Sequence, residues 1–143
     1  MRTTFKRATA VIAATISLTT SAFAQCDGSD DIASNVLIDA GWNSMMTGDI
    51  EPLIASLTEV GVMNAGIENG IRSINRQRPD GFPQCTVLLR SQISDRLVRE
   101  WVLFGEDGGI GFFASMTVAT IGGADRILGF TMDAKIDPII YNH

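Results

Sequence analysis

CTVLLRSQISDRLVREWVLF, residues 85–104, is where the side-chain rhythm of this chain turns over. Val87, Leu89 and Ile93 mark one alternating run, Leu97 to Phe104 form a second, and Ser94-Asp95 between them are turn residues. Alternation at period two belongs to pleated strands, and so short a link permits only an antiparallel pair. Working outward toward the C-terminus, Phe112, Ala114, Met116 and Val118 line one face of a third strand, and Leu128, Phe130 and Met132 one face of a fourth. Glu106-Asp107-Gly108-Gly109 and Gly122-Gly123-Ala124-Asp125 supply the connecting turns. The second half therefore predicts a four-stranded antiparallel meander.

Working outward toward the N-terminus, the period becomes helical. Ser29 is placed to cap a helix whose first turn carries Asp30 and Asp31, with Ile32, Val36, Leu37, Ala40 and Met45 on its apolar side and Gly48 as its stop. Asp49 can cap a second, short helix with Pro52 in its first turn and Leu53, Ile54 and Leu57 facing inward. Val60 to Met63 read as a brief extended piece. Asn64 opens a third helix with Ile67, Ile71 and Ile74 on one face and Glu68 four residues before Arg72. Helices followed by consecutive strands predict an α+β fold, its N-terminal helices packed on one face of the sheet.

This order of elements, with Gly66 to Ile71 as a Gly-x-x-x-Gly-Ile helix and Ile127-Leu128-Gly129-Phe130 in the last strand, resembles the nuclear transport factor 2-like, or polyketide-cyclase-like, superfamily. The resemblance covers most of the chain beyond residue 24. It implies a cone-shaped α+β roll on a curved sheet, a pocket between the sheet's concave face and the helices, and often a homodimer formed through the sheet. Such a fold hosts enzymes, binding modules and adaptors alike, so the function must come from the site.

The first 24 residues read as a signal peptide. Arg2, Lys6 and Arg7 precede an uncharged stretch from Ala8 to Thr20, and Ala22-Phe23-Ala24 predicts cleavage before Gln25. The stretch is too short and too rich in threonine to serve as a membrane anchor, so no stable membrane insertion is expected after cleavage. Residues 25–143 then form a single domain in the periplasm or the medium. In such a compartment the even pair Cys26 and Cys85 predicts a disulfide, which in the chain-entropy model stabilises the fold by about 4 kcal/mol. The expected bridge ties the start of the first helix to the first long strand.

Beyond residue 24 the chain has eight basic and sixteen acidic residues, a formal charge of −8. With no basic cluster it cannot release many phosphate counterions, so nucleic acid is not an expected partner. His143, the last residue, is its only histidine. Serine–histidine, cysteine–histidine and multi-histidine metal sites therefore lack their parts, and no cofactor or metal is expected. The acidic run Asp27 to Asp31 reads as helix capping, and Asp133, Lys135 and Asp137 as a solvated ladder on the last strand.

One strand carries the candidate site. Leu97, Arg99, Trp101 and Leu103 share one face of it, and Val98, Glu100, Val102 and Phe104 the other, so whichever face is covered holds a charge. A buried charge must be paired or must serve a ligand. With Trp42 and Met116, the residues Arg99, Glu100 and Trp101 are the candidate pocket residues. The leading expectation is an exported, noncatalytic domain that binds a small apolar or amphipathic molecule between sheet and helices. The alternatives are a protein-interaction or homodimerisation module, and a small lyase or isomerase with a carboxylate base. A cavity lined by Trp42 and Trp101 favours the first; a filled interior with an exposed apolar sheet favours the second; an inward carboxylate raised by burial is required for the third.

Overall fold

The structure, a computed structural model, describes residues 26–28, 32–105 and 111–133. The signal stretch, Ser29 to Asp31, the turn Glu106 to Gly109, Lys135, Asp137 and His143 lie outside the described residues. Three helices, α1 (Val36–Thr47), α2 (Glu51–Glu59) and α3 (Ala65–Gln77), precede four strands, β1 (Gln84–Ser94), β2 (Leu97–Gly105), β3 (Phe112–Ile121) and β4 (Ala124–Asp133). The strands form one antiparallel sheet in the order β1-β2-β3-β4. This is the expected α+β meander with the helices ahead of the sheet.

The helices differ from expectation mainly at their starts. Asn35, not Ser29, caps α1, its side chain accepting from the Leu37 N–H, and Ile32 to Ser34 stay outside the helix. The later start rotates the buried stripe to Ile38, Gly41, Trp42 and Met45, leaving Val36 78% exposed. Gly48 ends α1 at φ 75, where a Cβ would also overlap the Pro79 carbonyl. Ile50 rather than Asp49 occupies the cap position of α2, whose first turn holds Pro52 and whose buried face is Leu53, Ile54 and Leu57 as read. Val60 to Met63 form a turn and coil and no strand. Asn64 caps α3 as expected, accepting from the Ile67 N–H. Glu68 accepts from Arg72 four residues later, and Arg72 also reaches Glu51 at 2.7 Å, tying α3 to α2.

Cys26 and Cys85 are disulfide-bonded. The bridge pins an extended segment to β1 rather than the start of a helix. Asp27 adds a parallel bridge at Thr86, its N–H donating to the Cys85 carbonyl and its carbonyl accepting from Val87. A disulfide fits an oxidising, extracellular-type environment. Among the described residues no helix is long and apolar enough to cross a membrane.

Three bulges decide what each face of the sheet carries. The pairing slips by one residue at Leu88, at Ile93 and at Leu128. An extra residue in one strand interrupts the alternation, and both bulge residues fall on the side of the single residue opposite. Leu88 and Leu89 therefore both lie opposite outward Trp101, Ile93 and Ser94 opposite Leu97, and Leu128 and Gly129 opposite Thr117. Here the strict alternation expected for Val87, Leu89 and Ile93, and for Leu128, Phe130 and Met132, breaks down. Leu89 and Leu128 turn outward, while Arg90 and Ile127 turn in.

The inner face packs on the helices. Trp42 meets Phe104 edge-on at 5.7 Å between ring centres and lies 6.2 Å from Phe130. Phe104 stacks on Phe112 at 5.0 Å, and Phe82 joins both. Met116 is fully buried among them, its side chain against Gly41. Rings of this size supply most of the apolar area removed from water.

Candidate functional site

Glu100 stands in the middle of β2 with its side chain toward α1, between Val98 and Val102. The antiparallel register sets Arg90 of β1 on one side of it and Met116 of β3 on the other. Glu100 is 0% exposed. Each of its oxygens is held: Trp42 donates its indole N–H to Oε1 at 2.9 Å, and Arg90 donates Nε–H to Oε2 at 2.6 Å. Arg90 Nη1 donates in turn to the Ile32 carbonyl at 2.8 Å, so the same guanidinium fastens the segment before α1 to the sheet. Burying a carboxylate is costly unless it is paired and hydrogen-bonded, and both conditions are met.

A cleft of about 220 Å³ opens beside this pair where the N-terminal segment crosses the sheet. Ser34, Asp39, Arg90 and Glu100 line it, so it is polar. Asp39 sits three residues before Trp42 on α1 and accepts from the Ser34 hydroxyl at 2.6 Å. Burial pushes the Glu100 carboxyl above the usual glutamate range; Arg90 and Trp42 pull it back, and the Asp39 charge adds to the rise. Among the described residues no group of three or more histidine, cysteine, aspartate or glutamate side chains is placed to hold a metal ion.

The five candidate pocket residues fall on two opposite faces. Trp42, Glu100 and Met116 are inside; Arg99 and Trp101 are outside. The structure thus brings Trp42 and Glu100 into contact and separates both from Trp101. The aromatic cluster occupies the space where a cavity between the two tryptophans was expected. Arg90, the ion-pair partner, escaped the sequence reading because strict alternation after Val87 points it outward. Counting back from the Ser94-Asp95 turn sets Ser91 opposite Glu100, and only the bulge at Ile93 slides Arg90 into that place.

The outer face has its own character. Leu88, Leu89, Ile93, Ile121 and Leu128 are exposed on it, with Leu89 at 55% and Leu128 at 51%. Trp101 and Leu103 are half-buried beside them. Arg99 is the only charged residue among the outward positions of β1, β2 and β3. Its Nε donates to the Thr117 hydroxyl at 3.0 Å. No family model, curated protein or solved structure matches this chain.

Proposed function

We propose that the domain is an exported, noncatalytic interaction module that engages a protein partner through the outer face of its sheet. The observation that carries this reading is the placement of the bulges. Each of the three inserts a large aliphatic residue, Leu88, Ile93 or Leu128, and each turns it toward water. These side chains lie on either side of outward Phe113 and Ala119 of β3, which are themselves buried, and exposed apolar groups gathered on one face mark an interaction site. The interior, closed by aromatic packing and by the Trp42–Glu100–Arg90 contacts, supports the same reading over a deep apolar ligand pocket. The resemblance to the nuclear transport factor 2-like roll is compatible with it as a proposal, since binding modules and adaptors are among the jobs that fold performs.

Native mass spectrometry of the protein purified from its own host tests the reading. The wild-type chain should carry a partner mass that Leu89→Asp/Leu128→Asp loses while its circular dichroism stays unchanged. A monomer in both, or a complex indifferent to the substitutions, would sink it. A second reading is favoured by the polar cleft: a small-molecule site at Ser34, Asp39 and Arg90, in which Glu100, inward and raised by burial, is among the described residues the carboxyl suited to base chemistry. Both of its oxygens are already engaged, which ranks this reading second.

A further inference from the structure

The outer face is more than an apolar patch, because a cation, Arg99, stands in the middle of β2 on it, with Arg126 of β4 farther along the same face. Arg99 has Leu97 and Trp101 as its neighbours along β2, Ser91 and Thr117 opposite it on the flanking strands, and the exposed bulge residues Leu89, Ile93 and Leu128 around that row. The Nε–Thr117 hydrogen bond orients the guanidinium, and Arg99 is exposed. Among the described residues no carboxylate pairs with Arg99. Arginine and tryptophan ringed by aliphatic side chains is the composition that carries most of the energy in protein interfaces. The rest of the chain beyond residue 24 is strongly acidic, so this cation is not an echo of overall charge.

Resting on the interaction-module reading, we infer that the partner is a protein segment presenting apolar side chains around one carboxylate, and that this carboxylate pairs with the Nη groups of Arg99. Charge complementarity selects among the occupants. A second copy would set Arg99 and Arg126 against a face on which, among the described residues, the one acidic side chain is Asp133, at the end of β4 and already engaged. The arginines of the two copies would then be desolvated together, at a cost that like charges do not recover. An anionic lipid surface would meet the arginine but would repel the acidic body around it. A protein segment with one acid satisfies both the ring and its centre, and an oriented guanidinium takes a carboxylate in bidentate fashion.

Selection of a random dodecapeptide library on the immobilised domain tests this, followed by calorimetry of the chosen peptides. The expected peptides carry Asp or Glu amid aliphatic or aromatic residues. Their affinity should fall on the order of tenfold to a hundredfold with Arg99→Glu, and a peptide with Lys in place of its acid should recover binding to that variant. Leu89→Asp should abolish binding of both peptides. Arg99 and Leu89 are exposed, and circular dichroism checks that each variant is folded.

Peptides that bind the face but lack an acid and ignore Arg99→Glu would overturn the carboxylate pairing while leaving the interaction-module reading intact. No selected peptide sensitive to Leu89→Asp would overturn both. An Arg99-dependent dimer on concentration in native mass spectra would assign the face to a second copy, and Arg99-dependent binding to phosphatidylglycerol vesicles would assign it to a membrane; either overturns the inference.

Discussion

The two faces of β2 carry the same ingredients and handle them in opposite ways. Each has an aromatic ring, aliphatic residues and one charge in the middle. On the inner face Glu100 is stripped of water and held by Trp42 and Arg90. On the outer face Arg99 stays exposed and spends one of its five N–H donors on Thr117, among leucines that stay exposed. A charge that has found its partners within the chain contributes to one well-defined core. A charge left unpaired among apolar groups is suited to a partner from outside. The comparison teaches that function should be sought where a residue's bonding capacity is not used up by the fold.

The contrast is broken most severely from within. Trp42→Ala removes a fully buried ring and the donor to Glu100 Oε1, and should cost about 5 kcal/mol in urea denaturation. Arg90→Ala leaves the buried carboxylate without its ion partner and should cost about 4 kcal/mol. The double replacement Arg90→Met/Glu100→Met should recover most of that loss, because apolar residues of similar volume can replace a buried ion pair. If the double variant is no more stable than Arg90→Ala alone, the pair has some other role in the core. Cys26→Ser/Cys85→Ser should cost about 4 kcal/mol and release the segment that Arg90 also holds, seen as lost hydrogen-exchange protection at Asp27 and Val87.

Smaller effects sharpen the comparison. With its folded-state proton affinity raised, Glu100 adds stability while it is protonated, and that contribution is lost as pH rises through the raised value. Relative to Glu100→Gln, the wild-type chain should therefore lose stability as pH rises above the ordinary glutamate range, whereas a depressed carboxyl would show the opposite slope. Urea midpoints across that rise decide the sign. Outside, Leu89→Asp and Leu128→Asp should shift folding stability by no more than about 0.5 kcal/mol, since surface positions seldom matter to folding. A loss several times larger would mean that the outer face is part of the folding core.

What was legible in the chain was whatever depends on local rhythm and turn chemistry. The four strands, the antiparallel order, the Asn64 cap and the buried face of α2 follow from such signals, and the Cys26–Cys85 bridge from an even pair of cysteines in a chain read as exported. The start of α1 was misread because Ser29 and Asn35 both suit a cap, and local preference does not say which one the packing of Trp42 requires. Of the candidate site, the sequence reading found that β2 must bury one charge, and found Glu100 as one of two choices.

The order of helices and strands was thus determined by the sequence alone, because side-chain periodicity and turn residues act over a few positions and need no distant partner. Only the tertiary structure decided which of Arg99 and Glu100 was buried, that Arg90 would meet Glu100, and that Leu89 and Leu128 would face water. The physical reason is the bulge. One extra residue in a strand costs little locally, yet it moves following side chains to the opposite face, and whether it forms depends on how the two surfaces pack when the whole sheet is in place.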